Sequence, residues 1–162
     1  MAIEAVREYF KKWGKEGDVL EFNTSSATVE LAAQALNVEP ARIAKTLSFK
    51  NGDGAMLVVT AGDAKVDNSK FKGRFGFKAK MLTPDEVFEF TGHTIGGVCP
   101  FGLKTELPVY LDISLKRFQT VFPACGSSNS AIEVTCEELE EYSANKDWVD
   151  ICKSWEQVEG TL

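Results

Sequence analysis

Lys45-Thr46-Leu47-Ser48-Phe49-Lys50, then Asn51-Gly52-Asp53-Gly54 and the apolar run from Ala55 to Ala61, read as two strands joined by a tight turn. An Asn-Gly pair between two such runs signals a hairpin, because these residues tolerate the positive φ that tight hairpin turns demand. Alternation along the first strand turns Leu47 and Phe49 inward, and Lys45 shares their side because side chains repeat with period two. Thr46, Ser48 and Lys50 face the other way. A lysine at the rim of an apolar face needs an anionic partner, a substrate, or a path to water for its ammonium. Snorkelling at a strand end and contact with a substrate both meet that need.

Upstream, Ile3, Val6, Phe10 and Trp13 recur at helical spacing on one side of an opening helix that Gly14 and Gly17 stop. Val19 to Phe22 is a short strand. Thr28 is the N-cap of a helix whose apolar face is Leu31, Ala32, Ala35 and Leu36, small enough to lie close to a neighbour. Pro40 opens a short helix at the position where its missing N–H costs nothing. Downstream, Asp67 caps a helix to Phe75, and Ala79 to Leu82 is a short strand. Thr83-Pro84-Asp85-Glu86 combines a cap, a first-position proline and a capping-box glutamate. Strands follow at 108–113, 120–124 and 131–135, with a short helix at 114–118, and Thr135-Cys136-Glu137-Glu138 opens a final helix to about Tyr142. Trp148, Val149, Ile151, Cys152 and Trp155 form a closing amphipathic segment. Helices and strands mix without strict alternation, so the class is α+β: one domain, a mixed sheet with helices around it.

The helix begun at Thr83 runs into Gly92-His93-Thr94-Ile95-Gly96-Gly97-Val98-Cys99-Pro100-Phe101-Gly102, with four glycines and the chain's single histidine in eleven residues. Such a stretch is a shaped loop. Bare amides converging in it could hold an anion or a developing oxyanion; a tight crossover between packed elements would need the same glycines. His93 reads as a loop or rim residue, and the pattern places nothing basic beside Cys99. A second small polar loop, Cys125 to Ser130, separates the last two strands.

With 162 residues, 44% of them hydrophobic, the chain makes one domain with a proper core. A net charge of −6 argues against binding nucleic acid by broad phosphate neutralisation, which needs a basic face. Lys65, Lys70, Lys72, Arg74, Lys78 and Lys80 nevertheless cluster, either as a solvated surface or as a polyanion-facing one. Cys99, Cys125, Cys136 and Cys152 lack metal-ligand spacing, so neither a metal nor a cofactor is expected. Without a secretory signal or an apolar run of membrane-spanning length, a cytoplasmic protein with reduced thiols is expected.

Ala41-Arg42-Ile43-Ala44-Lys45-Thr46-Leu47 entering a strand, the GxxxGGVxPFG loop from Gly92 to Gly102, and Gly126 shortly before Ala131-Ile132-Glu133-Val134 resemble the YbaK-like aminoacyl-tRNA deacylases. That family is related to the editing domain inserted in bacterial prolyl-tRNA synthetases, and the similarity spans residues 19–143. The resemblance implies a barrel-like mixed sheet and a free-standing hydrolase that cleaves a wrong amino acid, with a small one on proline tRNA the first candidate, from its ester with tRNA. A pocket separates substrates differing by one methylene by only about 1–3 kcal/mol, so a second sieving site is the physical remedy. By the same resemblance, Lys45 holds the terminal adenosine or phosphate and positions the ester. Gly96 and Gly97 supply oxyanion-stabilising amides, and water is the nucleophile. Thr46, Val98, Cys99, Pro100, Phe101, Gly102, Gly126, Ser127, Ser128 and Asn129 would line the substrate site, and the implied partners are the acceptor end of aminoacyl-tRNA and a prolyl-tRNA synthetase.

Two departures from the family bear on specificity. Ala124 stands where some relatives acting on cysteinyl-tRNA carry serine, and Ser127 where relatives acting on alanyl-tRNA often carry histidine. Ser127, Ser128 and Asn129 are therefore the specificity candidates. A catalytically silent module that binds tRNA, a nucleotide or a synthetase on the same fold is the alternative, and a hydrolase using the Cys99 thiol is a third reading.

Overall fold

The computed structural model describes residues 2–155. Helix α1 (Ala2–Phe10) runs through a tight turn at Lys11–Trp13 to Gly14, whose φ of +66° ends it. Strand β1 is Leu20–Glu21, and Thr28 caps α2 (Val29–Leu36) by accepting from the Leu31 amide. The α2 face is rotated from expectation. Ala32 and Ala33 are buried against Ile43 and Phe122, whereas Leu31 is 39% exposed. In a helix this short, which residues are inward depends on the partner, and alanines at adjacent positions give the sequence no way to set the angle.

After the turn Pro40–Arg42 come β2 (Ile43–Asn51) and β3 (Gly54–Ala61), in register from Ala44↔Ala61 to Asn51↔Gly54. The two residues at the hairpin tip are thus Gly52 and Asp53, with Gly52 at φ +62°. Next follow β4 (Lys65–Val66), α3 (Asn68–Phe75) and α4 (Pro84–Thr91), then β5 (Val109–Asp112) and a tight helical turn at Ile113–Arg117. The chain continues through β6 (Thr120–Pro123), β7 (Ser130–Ala131), β8 (Val134–Thr135), α5 (Cys136–Ser143), β9 (Asp147–Val149) and β10 (Cys152–Lys153). Both expected capping boxes are formed, at Thr83/Glu86 and Thr135/Glu138.

Six strands make a mixed sheet in the order β8-β6-β2-β3-β5-β9, and β1-β7 and β4-β10 form two separate pairs. The expected strand at 131–135 is two strands with different partners: Ala131 pairs with Leu20, and Val134 with Val121. Residues 79–82 form only a bridge, Met81 to Phe49, flanked by Lys50 N–H to the Lys80 carbonyl and Leu82 N–H to the Ser48 carbonyl. Because β3 is buried along almost its whole length, side chains pack on both of its faces. The main core joins β3 and β5 to Phe71 of α3, Leu139 of α5, and Val6 and Phe10 of α1.

One edge of β2 is divided. Residues 43–44 pair with β6 and 48–50 with the 80–82 segment, so 45–47 lie between two neighbours. Ser48 and Lys50 direct their backbone groups to this edge, and every second residue of a strand does the same, so the Thr46 N–H and C=O face the gap.

Candidate active site

Lys45 has a built environment. Its Nζ donates to the Ala64 carbonyl at 2.5 Å and to the Gly62 carbonyl at 3.4 Å, both in the turn that leaves β3. That turn is clamped from the far side: Arg117, 6% exposed at its side chain, grips Asp63 with two nitrogens at 2.9 and 2.5 Å. Ser114 Oγ accepts the Ala61 N–H at 3.1 Å. The helical turn at 113–117 thereby fixes the carbonyls that hold the ammonium. Burial lowers the pKa of Lys45 from its ordinary value, and the Asp63 carboxylate works against that shift.

In the glycine loop, Gly97 N–H closes a turn onto the Thr94 carbonyl at 3.0 Å, with Gly96 third in the turn at φ +96°. A positive φ there is what a type II turn requires of its third residue. The Gly97 amide is therefore engaged within the loop. The amides of Gly96 and Val98 donate to no acceptor among the described hydrogen bonds. Gly97 also carries a packing duty. Its carbonyl accepts Gly126 N–H at 2.9 Å, and a Cβ on it would sit 2.6 Å from Ser127 N. The two small loops touch backbone to backbone.

Lys45, Thr46, Gly96 and Val98 line one cleft of about 230 Å³. Its walls are small: Ala27, Ala32, Ala44, Ala124 and Ala131, with Val29, Ile43 and Phe122. Met81 and Ile95 stand at its lip, 55% and 61% exposed. Ser26, Ser48 and Ser130 add hydroxyls that the sequence did not mark. Ser26 Oγ and Thr46 Oγ1 are buried without a hydrogen-bond partner among the described residues. Among the described residues the lining includes no carboxylate and no histidine, and Lys45 is its one ionisable side chain.

The remaining expected residues lie elsewhere. Phe101 is in the core, its ring 4.8 Å from that of Phe10. Gly102 and Gly126 let α1 approach, since a Cβ on either would meet the Ala5 or Ala2 carbonyl oxygen at 2.9 or 2.8 Å. Pro100 is buried. Ser127 Oγ lies within hydrogen-bond distance of Asn129 Oδ1 and Ser130 Oγ, at 2.9 and 2.7 Å, Asn129 Nδ2 donates to the Phe22 carbonyl, and the Ser128 carbonyl accepts the Ser26 N–H. These three line no part of the cleft wall; they hold Ser26 and Ser130, which do.

Cys99 has an unexpected neighbour. His93, 1% exposed rather than at a rim, places Nε2 at 3.5 Å from the thiol. The same Nε2 lies 2.9 Å from the Phe101 carbonyl, which can only accept, so Nε2 carries the hydrogen and is no base toward sulfur. Burial lowers the His93 pKa and pushes the Cys99 thiol up to about 12. A thiol this deep and this protonated is inert. Mass-spectrometric alkylation of the native protein should therefore leave Cys99, Cys125 and Cys152 unmodified and reach only the half-buried Cys136, whereas the denatured chain should take up four labels. Rapid native labelling of Cys99 would restore the thiol mechanism.

The family described as "Aminoacyl-tRNA editing domain" matches residues 24–142. The chain is 62% identical over 157 residues to "Uncharacterized protein YwhH" of Bacillus subtilis, covering 96% of this chain and 100% of that one. It is 29% identical over 114 residues to the "Putative Cys-tRNA(Pro)/Cys-tRNA(Cys) deacylase EbsC" of Enterococcus faecalis, covering 69% and 70%. Among solved structures, the "Crystal structure of a putative trans-editing enzyme for prolyl tRNA synthetase" superposes with a TM-score of 0.85 at 32% identity, over 94% of this chain and 97% of that one. With that match, that fold, and the lysine strand and glycine loop meeting at one cleft, the chain belongs to the aminoacyl-tRNA editing-domain family of the YbaK type.

Proposed function

We propose that this protein is a trans-acting aminoacyl-tRNA deacylase that removes a small, wrongly attached amino acid from tRNA, with proline tRNA the first candidate. The carrying observation is the cleft itself, where Lys45, the open edge of β2 at Thr46, and Gly96 and Val98, whose amides donate to no acceptor among the described hydrogen bonds, border walls of alanine and valine. Family membership and the names borne by two of the similar proteins support the same reading.

In this mechanism the Gly96 and Val98 amides point at the ester carbonyl oxygen and take up its charge as water adds to the carbon. Donors fixed in advance for such an oxyanion contribute about 3–4 kcal/mol apiece. The carbon then releases the ribose oxygen, which takes a proton from the attacking water, leaving free amino acid and intact tRNA. Lys45 holds the terminal nucleotide and fixes the ester against the amides. The Thr46 and Ser26 hydroxyls, which have no hydrogen-bond partner among the described residues, offer hydrogen bonds to the bound acyl group, and the alanine walls leave little room for a large side chain.

The test is a release assay over tRNAs charged with alanine, serine, cysteine and proline. Hydrolysis of one or more small residues well above the spontaneous rate, with correctly charged tRNA spared, is the expected result. Tight binding of these substrates with no release from any of them would instead identify a binding module.

A further inference from the structure

Around α3 and the β4-β10 pair, four acids are already occupied. Asp63 is gripped by Arg117, Asp147 by Arg74 at 3.1 Å and Asp150 by Lys70 at 3.1 Å, while Asp67 caps α3 through the Lys70 amide. Lys65, Lys72, Lys78 and Lys153 make no ion pair among the described residues, and all four are exposed. Their positions are ordered. Lys65 directly follows Ala64, whose carbonyl holds Lys45, and it faces Lys153 across the β4-β10 pair in direct register. Like charges placed directly opposite on paired strands are destabilising unless something negative lies between them. Farther along, Lys72 and Lys78 line a concavity with Asn68 and Ser69 at the first turn of α3, where the helix end favours an anion. Asp67 offsets part of that field. From Lys78 the chain returns through Lys80 to Met81 at the cleft lip, about 10 Å away for extended backbone.

In a chain of net charge −6 this row of unpaired lysines, joined to the cleft at both ends, has one chemically fitting occupant. We infer that Lys65 with Lys153, and Lys72 with Lys78, bind successive backbone phosphates of the tRNA acceptor strand whose terminal ester enters the cleft. The inference rests on the deacylase reading for the identity of the polyanion. It accounts for an acidic protein handling RNA: contact is confined to a track beside the site rather than spread over a basic face, and the Lys45 ammonium lies at the start of the track.

The experiment uses the full chain and an uncharged acceptor-stem RNA hairpin with a single-stranded 3′ end, with binding measured from low to moderate salt. Each neutralised phosphate contributes about 0.7–0.9 to the slope of log affinity against log salt. The pairs Lys65→Gln/Lys153→Gln and Lys72→Gln/Lys78→Gln should each lower that slope by about one phosphate's share or more and weaken low-salt binding about tenfold. Lys11→Gln, which removes a lysine already paired with Glu8 on α1, should change neither. Hydrolysis of 3′-aminoacyl-adenosine, which has no phosphodiester, should be the same in wild type and in both pairs. Unchanged slopes in both pairs, or no RNA binding by the wild type, would overturn the phosphate track. Failure of the wild type to cleave aminoacyl-adenosine would overturn the deacylase reading alone, since the slopes are read on uncharged RNA.

Discussion

Gly62→Ala is expected to destabilise the protein by about 3 kcal/mol or more, at the upper end of what overpacking costs. The backbone of Gly62 is not in the left-handed region, so its requirement for glycine is purely one of space. A Cβ there would lie 2.1 Å from the Pro40 carbonyl oxygen and 2.8 Å from Val29 Cγ1. Neither neighbour can yield easily. Pro40 opens the turn that feeds β2, and Val29 starts α2, capped by Thr28. The strand-exit turn cannot retreat either, because Arg117 grips the adjacent Asp63 and Lys45 is bonded to the carbonyls on both sides. A thermal melt should show the loss directly. Gly73→Ala is the counterpart: it lies in α3 with nothing within 4 Å of its added Cβ, and should stabilise by about 0.5–1 kcal/mol through helix propensity. Equal melting temperatures for the two variants would show that the Pro40 contact is soft.

Lys45→Met should do the opposite, removing activity while leaving the fold. Methionine keeps the apolar stem and deletes the charge, so the cost of burying an ammonium disappears together with its bonds to Gly62 and Ala64. Deacylation should fall about 100-fold or more, the scale expected when a positioning charge is lost from a reacting ester, with little change in melting temperature. The pH dependence has a definite sign. Burial disfavours the charged form, so Lys45 loses its proton at a lower pH than a free lysine, and the wild-type rate advantage over Lys45→Met should shrink on the alkaline side before the ordinary lysine range is reached. A variant retaining full activity would leave the mechanism without support.

What the sequence disclosed and what it hid divide by range. Thr28, Thr83 with Glu86, and Thr135 with Glu138 were legible because a cap is a contact over three residues. The β2-β3 hairpin was legible because alternation and turn chemistry lie side by side in the chain. The role of Gly62 was hidden, since its constraint is a carbonyl twenty-two residues away and its own φ is unremarkable. So was the depth of His93 and Cys99, which depends on α1 covering the glycine loop from the other end of the chain. In the cleft, Lys45, Thr46 and Gly96 stood out through resemblance, but Ser26 did not, because a serine in a polar loop carries no mark of where a long-range bond to the Ser128 carbonyl will place it.

The covering of the glycine loops by α1 bears on where this protein can be cut. The family match begins at residue 24, yet the carbonyls of Ala2 and Ala5 lie against Gly126 and Gly102, and Phe10 packs on Phe101. At the other end the match stops at 142, before β9 pairs with β5 and β10 with β4. A fragment trimmed to the matched stretch would bare an aromatic cluster, leave β4 without its partner and open the β5 edge, so the stretch recognisable by descent is shorter than the unit able to stand alone. Any transplant of the cleft into another protein would have to bring those flanks along or supply a substitute for them.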